Sequence, residues 1–291
     1  MFAKLVRQHP LITFFSLAYA FSWVFGVPAT IFPNWPEALT FLTVLGPAVA
    51  AMIVAGLVEG EDGIRRLLSP LKKWRAGIQW YLIVLLGPSV MMISSVYLYR
   101  LISKESGILD SVRTSSMLGS HFLALLIIFI YQFIIIWGEE IGWRGYALPR
   151  LQTRYHPILA SVILGILWGL WHLPSFWVEG SVHQRMSVQF FVLASVGYSI
   201  LYTWIYNGSG GSLLLMCLLH AANNTTVSYT MLFFTPILEK PVFSLAALGL
   251  FDLLVIIIAG PKLLWKEGKR DGKAVALAIQ DVDVKEDEAY S

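Results

Sequence analysis

Apolar residues fall into long runs along this chain, separated by short polar connections. Eight runs stand out: Leu11–Phe32, Leu39–Val58, Trp80–Leu101, His121–Trp137, Ile158–Trp177, Val188–Tyr206, Gly211–Phe234 and Val242–Ile258. A bilayer core takes about 20 apolar residues per helix. The pattern therefore predicts an all-α, polytopic membrane protein with about eight transmembrane helices. The fourth run is short because it continues into a polar stretch that begins at Glu139. Lys4 and Arg7 precede the first run, and Ala18-Tyr19-Ala20 lies within it, as in a signal peptide. Apolar residues continue to Phe32, however, beyond the length of a signal peptide's core, so a retained first span is expected.

Composition agrees with the pattern. Hydrophobic residues make up 57% of the 291 and charged residues 13%, and mean hydropathy is +0.68; a soluble domain carries about twice that charge. The net charge of +3 is too small to suggest nucleic acid as a partner, and membrane lipids are the expected surroundings. The sole cysteine, Cys217, leaves no disulfide within one chain and no zinc–thiolate cluster; it reads as a small membrane-buried filler.

The position of the basic residues sets the expected orientation. With eight spans both termini share a side, and that side carries sixteen of the 21 Lys and Arg. Among these are Arg65, Arg66, Lys72, Lys73 and Arg75 in the Glu59–Ile78 connection, and Arg144, Arg150 and Arg154 after the fourth run. Only Arg100, Lys104, Arg113, Arg185 and Lys240 lie opposite. Basic connections stay in the cytoplasm, so both termini are expected there, at the cell membrane if the source is prokaryotic. Glu59–Ile78 reads either as a topology signal or as a basic amphipathic segment in the interface. The organisation is one membrane domain, residues 1–265, followed by a charged tail, 266–291, expected to be mobile.

Ionisable groups inside spanning helices are costly and usually mark function. Three places break the apolar pattern: Glu139-Glu140 with Arg144, His172, and His220 with Asn224. Glu140 and Arg144 are four apart and pair on one helix face. Glu139 is rotated from Glu140 by about 100°, so it lacks that partner and stays available. If the chain turns at Tyr155-His156-Pro157, Glu139 and His172 are equally far from the turn, at about 24 Å, and face one another across a helical hairpin. Gly165 and Gly169 form a G-x-x-x-G that permits close helix approach. His220 and Asn224 share a face, just after a tight connection at Asn207–Gly211. Asp252 lies in a span without a neighbouring motif and is expected to be a paired structural residue.

These residues resemble the CAAX-protease and bacteriocin-processing family of intramembrane glutamic endopeptidases, related to the Ras-converting CAAX prenyl endopeptidases. The family pattern E-E-x-x-x-R is met by Glu139-Glu140-Ile141-Gly142-Trp143-Arg144. F-x-x-x-H is met by Trp168-Gly169-Leu170-Trp171-His172, with Trp168 in place of the usual phenylalanine, and H-x-x-x-N by His220-Ala221-Ala222-Asn223-Asn224. The resemblance implies a catalytic core within 121–234 around a cytoplasm-facing crevice, with no cofactor and with a peptide or protein substrate, lipidated in some relatives. It assigns Glu139 and His172 to hold and deprotonate a water, and His220 and Asn224 to donate hydrogen bonds to the oxyanion. Glu140 and Arg144 would brace the helix, and Trp168 would pack on the His172 ring.

Two other classes compete. Glu139, His172 and His220 are acceptable zinc ligands, although the chain has no H-E-x-x-H. A non-catalytic membrane protein, of bacteriocin-immunity or transport type, could use the same polar crevice; transporters commonly show repeated halves and broken helices, which are not visible in this sequence.

Overall fold

The computed structural model describes residues 2–103, 118–233 and 240–264. The tail at 266–291 lies outside these. All regular structure among the described residues is helical. A short α1 (Phe2–Gln8) leads into α2 (Pro10–Ile31), α3 (Gly46–Leu68) and α4 (Ile78–Ser103). One long, irregular element follows: α5 (Leu118–Ile135), the single turn α6 (Trp137–Glu140), a π-helical segment Ile141–Ala147, and α7 (Leu148–Gln152). Then come α8 (Pro157–Trp171), α9 (Val188–Gly208), α10 (Leu213–Phe233) and α11 (Pro241–Leu264).

Among the described residues, six stretches are long and apolar enough to cross a membrane: Pro10–Ile31, Glu37–Lys72, Ile78–Ser103, Phe122–Gln152, Val188–Gly208 and Pro241–Ala259. Each overlaps one of the apolar runs read from the sequence. The two remaining runs correspond to α8, an apolar helix of 15 residues, and to α10, whose polar residues dilute its apolar character. The protein is an all-α, polytopic membrane protein.

Local chemistry explains where the helices around the site begin and end. The His156 ring accepts from the Ile158 N–H, and Pro157 opens α8 with the φ a helix needs. The run of apolar residues suggests a span reaching Trp177, but α8 stops at Trp171, with His172 as its cap. Pro174 has no N–H to continue the ladder, and Leu173–Phe176 tightens into a 3₁₀ turn instead. Ser187 caps α9 by accepting from the Phe190 N–H. Between α9 and α10, Gly210 and Gly211 adopt left-handed φ of 72° and 77°, which lets the expected tight connection reverse the chain. Gly60, at φ 65°, breaks α3. Just before the break, Glu59 accepts from both Arg66 and Arg150, joining the second half of α3 to α7.

Glycines also decide which helices touch. A methyl group on Gly165 would lie 2.5 Å from Val196 Cα, and one on Gly169 3.0 Å from Val192 Cα. The G-x-x-x-G face of α8 therefore packs on α9, not on the helix carrying Glu139. Gly138 abuts the Val44 carbonyl, and Gly142 abuts Pro47 at the start of α3. The two acidic residues between them are thus pressed into the protein. Phe14, Trp143, Tyr146, Leu164 and Trp171 close the adjoining core between α2, α3, α8 and the π-helical segment.

Candidate active site

Glu139 and Glu140 sit on α6, where the helix passes into the π-helical segment, and both are buried. Such wide turns are frequent at functional sites. Glu140 pairs with Arg144, Arg144 Nη1 donating to Glu140 Oε1 at 2.8 Å, as their spacing suggests. The same oxygen lies 2.7 Å from His220 Nδ1, eighty positions along the chain on α10. Glu140 is therefore more than a helix brace: it ties α10 to α6 and fixes the ring of His220. With Nδ1–H directed at the carboxylate, Nε2 is the nitrogen left for other partners.

Arg144 is fully buried. Its Nε and Nη2 have no hydrogen-bond partner among the described residues. The guanidinium lies instead between two aromatic faces, 4.3 Å from the Trp168 ring centre and 4.1 Å from that of Tyr202. Contacts of this kind contribute about 2 kcal/mol when dry.

The Glu139 side chain is not free, as helical phase alone suggests: Trp168 Nε1–H donates to its Oε2 at 3.0 Å. His172 caps α8, with Nδ1 2.8 Å from the Trp168 carbonyl. A carbonyl can only accept, so Nδ1 carries the proton of the neutral ring and the Nε2 lone pair is left open. Trp168 itself makes edge contacts to both imidazoles, at 5.9 Å to His172 and 5.4 Å to His220 between ring centres. It touches Glu139, Arg144, His172 and His220, more than the packing on His172 read from the sequence. Asn224, half-buried and one turn beyond His220, donates to Gln132 Oε1 on α5 at 3.3 Å.

Three participants are not marked by the sequence pattern. Tyr202 shelters Arg144 and makes an edge contact with His220, 5.9 Å between ring centres. Gln132 holds Asn224. His183, in the connection after α8, lies 5.4 Å from His172, both rings leaning on Phe191 at 4.9 Å. Burial pushes His183 down to about 4. Only its nearness in sequence to His172 could have drawn attention to it. Beside His172 a cavity of about 40 Å³ is lined by Trp23, Thr43 and Ser175 among others.

For zinc, the donor set was Glu139, His172 and His220. No three His, Cys, Asp or Glu side chains among the described residues are grouped closely enough to hold a metal ion, and the Trp168 ring contacts both imidazoles. Asp252, expected to be paired, is buried on α11 with Oδ1 unpartnered among the described residues.

Comparison with known families matches the segment that carries these residues. Residues 121–226 match the family described as type II CAAX prenyl endopeptidase Rce1-like. A CAAX prenyl protease 2 from Methanococcus maripaludis is 36% identical over 88 residues, which is 28% of this chain and 32% of that protein. The match thus spans about a third of the curated relative's length. The segment matched by the family contains Glu139, Trp168, His172, His220 and Asn224, so this part of the chain is similar to the type II CAAX prenyl endopeptidases.

Proposed function

We propose that the protein is an intramembrane endopeptidase that hydrolyses a peptide bond with water activated by Glu139 and His172, without a metal. The observation that carries the reading is the disposition of ring nitrogens: His172 and His220 each commit Nδ1 to the protein, leaving Nε2 for chemistry. His172 Nε2 helps hold the water, Glu139 Oε1 takes its proton as oxygen attacks the peptide carbonyl, and the proton passes on to the departing amine as the C–N bond breaks. General-base assistance contributes about 10²–10⁴ in rate. His220 keeps Nδ1 on Glu140 and turns Nε2 to the oxyanion, with the Asn224 amide as second donor. Loss of one oxyanion donor costs about 10²–10³. The cleaved bond lies in a membrane-associated peptide, of which a prenylated C-terminal tail is the form suggested by the relative's name. The distribution of Lys and Arg supports cytoplasmic termini.

The test is cleavage of a farnesylated, quenched-fluorescence peptide ending in a CAAX sequence, by purified protein in liposomes and with a chelator present. Wild type should cleave. Glu139→Gln, which keeps size and hydrogen-bonding capacity, should lose at least about 10²-fold. Near-normal turnover by that variant would show that Glu139 is not the base.

A further inference from the structure

Trp168 replaces a phenylalanine of the family pattern, and the replacement adds one polar atom to an otherwise apolar ring. That atom is used. Nε1–H donates to Glu139 Oε2 at 3.0 Å, inside a site where both residues are about nine-tenths buried or more. A phenylalanine there could pack but could not donate. From this geometry we infer that Trp168 is a positioning residue for Glu139: its indole N–H holds Oε2 still and leaves Oε1 for the proposed proton transfer.

Three further observations support a role in alignment. The Trp168 ring is itself held, with the Arg144 guanidinium over its face at 4.3 Å and Tyr202 at 6.0 Å between ring centres. Its backbone carbonyl accepts from His172 Nδ1, so one residue sets both the carboxyl and the imidazole. The backbone that carries it is fixed by Gly165 and Gly169 against α9. Both proposed water-binding groups therefore take their orientation from Trp168. A hydrogen bond of this kind is directional, and displacements of about 1 Å in a reacting group can cost about 10²-fold in rate. The inference rests on the assignment of Glu139 as the base.

The experiment replaces Trp168 by benzothienylalanine, in which sulfur stands where the indole N–H was and the bulk of the ring is unchanged. Trp168→Phe is the natural counterpart. The infrared carboxyl stretch of Glu139, identified by its loss in Glu139→Gln, should move in both variants, and kcat should fall about ten- to hundredfold with KM little changed. An unchanged band would show that the bond is absent, and would overturn the inference without a substrate being needed. A moved band with unchanged kcat would show that the bond positions nothing, and would also overturn it. The band needs no turnover, so near-normal cleavage by Glu139→Gln would refute the mechanism above and leave the infrared result distinct. A melting curve of each variant establishes that it has folded.

Discussion

Glu140→Gln isolates the charge shared by three buried side chains. Glu140 Oε1 is 2.8 Å from Arg144 Nη1 and 2.7 Å from His220 Nδ1, and none of the three side chains is more than 4% exposed. Removing one member of a buried ion pair costs about 3–5 kcal/mol. Two features hold the cost to the lower end. The glutamine carbonyl still accepts one of the two hydrogen bonds, and the faces of Trp168 and Tyr202 still shelter the guanidinium. A loss of about 3 kcal/mol corresponds to a fall of about 6–10 °C in melting temperature. Glu140→Gln combined with Arg144→Gln removes both charges, and should recover about half of that loss. The protein carries its own reporter: Cys217, the sole cysteine, is fully buried one turn before His220. A thiol-reactive fluorogenic dye should label it only as α10 opens. Glu139→Gln, which still accepts from Trp168, should melt within a few degrees of wild type. If Glu140→Gln melts with the wild type, or the double variant lies below the single one, the shared carboxylate is not what holds α6 to α10.

Gly165→Ala should destabilise by about 1–3 kcal/mol, read with the same dye, because its methyl group would press on Val196 Cα at 2.5 Å. His183 should make stability pH-dependent. Burial lowers its pKa from 6.5 to about 4, so the unfolded chain takes up the proton first. Its contribution is complete above about 6.5 and is lost as pH falls toward 4. His183→Phe should flatten melting temperature across that window, and an unaltered profile would refute the assignment. A cysteine introduced at Gly180, in a Cys217→Ala background, should label from outside intact cells, and one at Gln8 should not; the reverse would invert the orientation. Because Gly180 sits eight residues after His172, the same labelling shows which face of the membrane that cavity is nearer.

Much of this architecture is legible in the residues themselves. Length and apolarity mark the spans, the four-residue spacing brings Glu140 to Arg144, and the Gly210-Gly211 pair signals the connection before α10. What composition cannot carry is pairing across long stretches of chain. Nothing near His220 points to Glu140, eighty residues earlier. Trp168 reads as apolar by pattern, although its single N–H turns toward Glu139. The G-x-x-x-G face announces close packing without naming its partner, which proves to be α9. The end of α8 at Trp171 was more accessible, since Pro174 is a stop signal overridden only by the continuing apolar residues. Asp252 offered no pattern from which an oxygen unpartnered among the described residues could be read.

The π-helical segment Ile141–Ala147 makes the site sensitive to chain length as well as to residue identity. Its wide turn carries extra backbone between Glu140 and Leu148, while Glu59 anchors Arg150 on the far side. Deleting one residue there would draw the segment toward ordinary α-helix, and each residue of helix turns the chain by about 100°. The two ends are both fastened, one by Gly138 against the Val44 carbonyl and the other by Arg150. The twist would therefore have to be absorbed between them, swinging the acidic pair away from Trp168 and His220. Every side chain of the motif could remain while the site came apart.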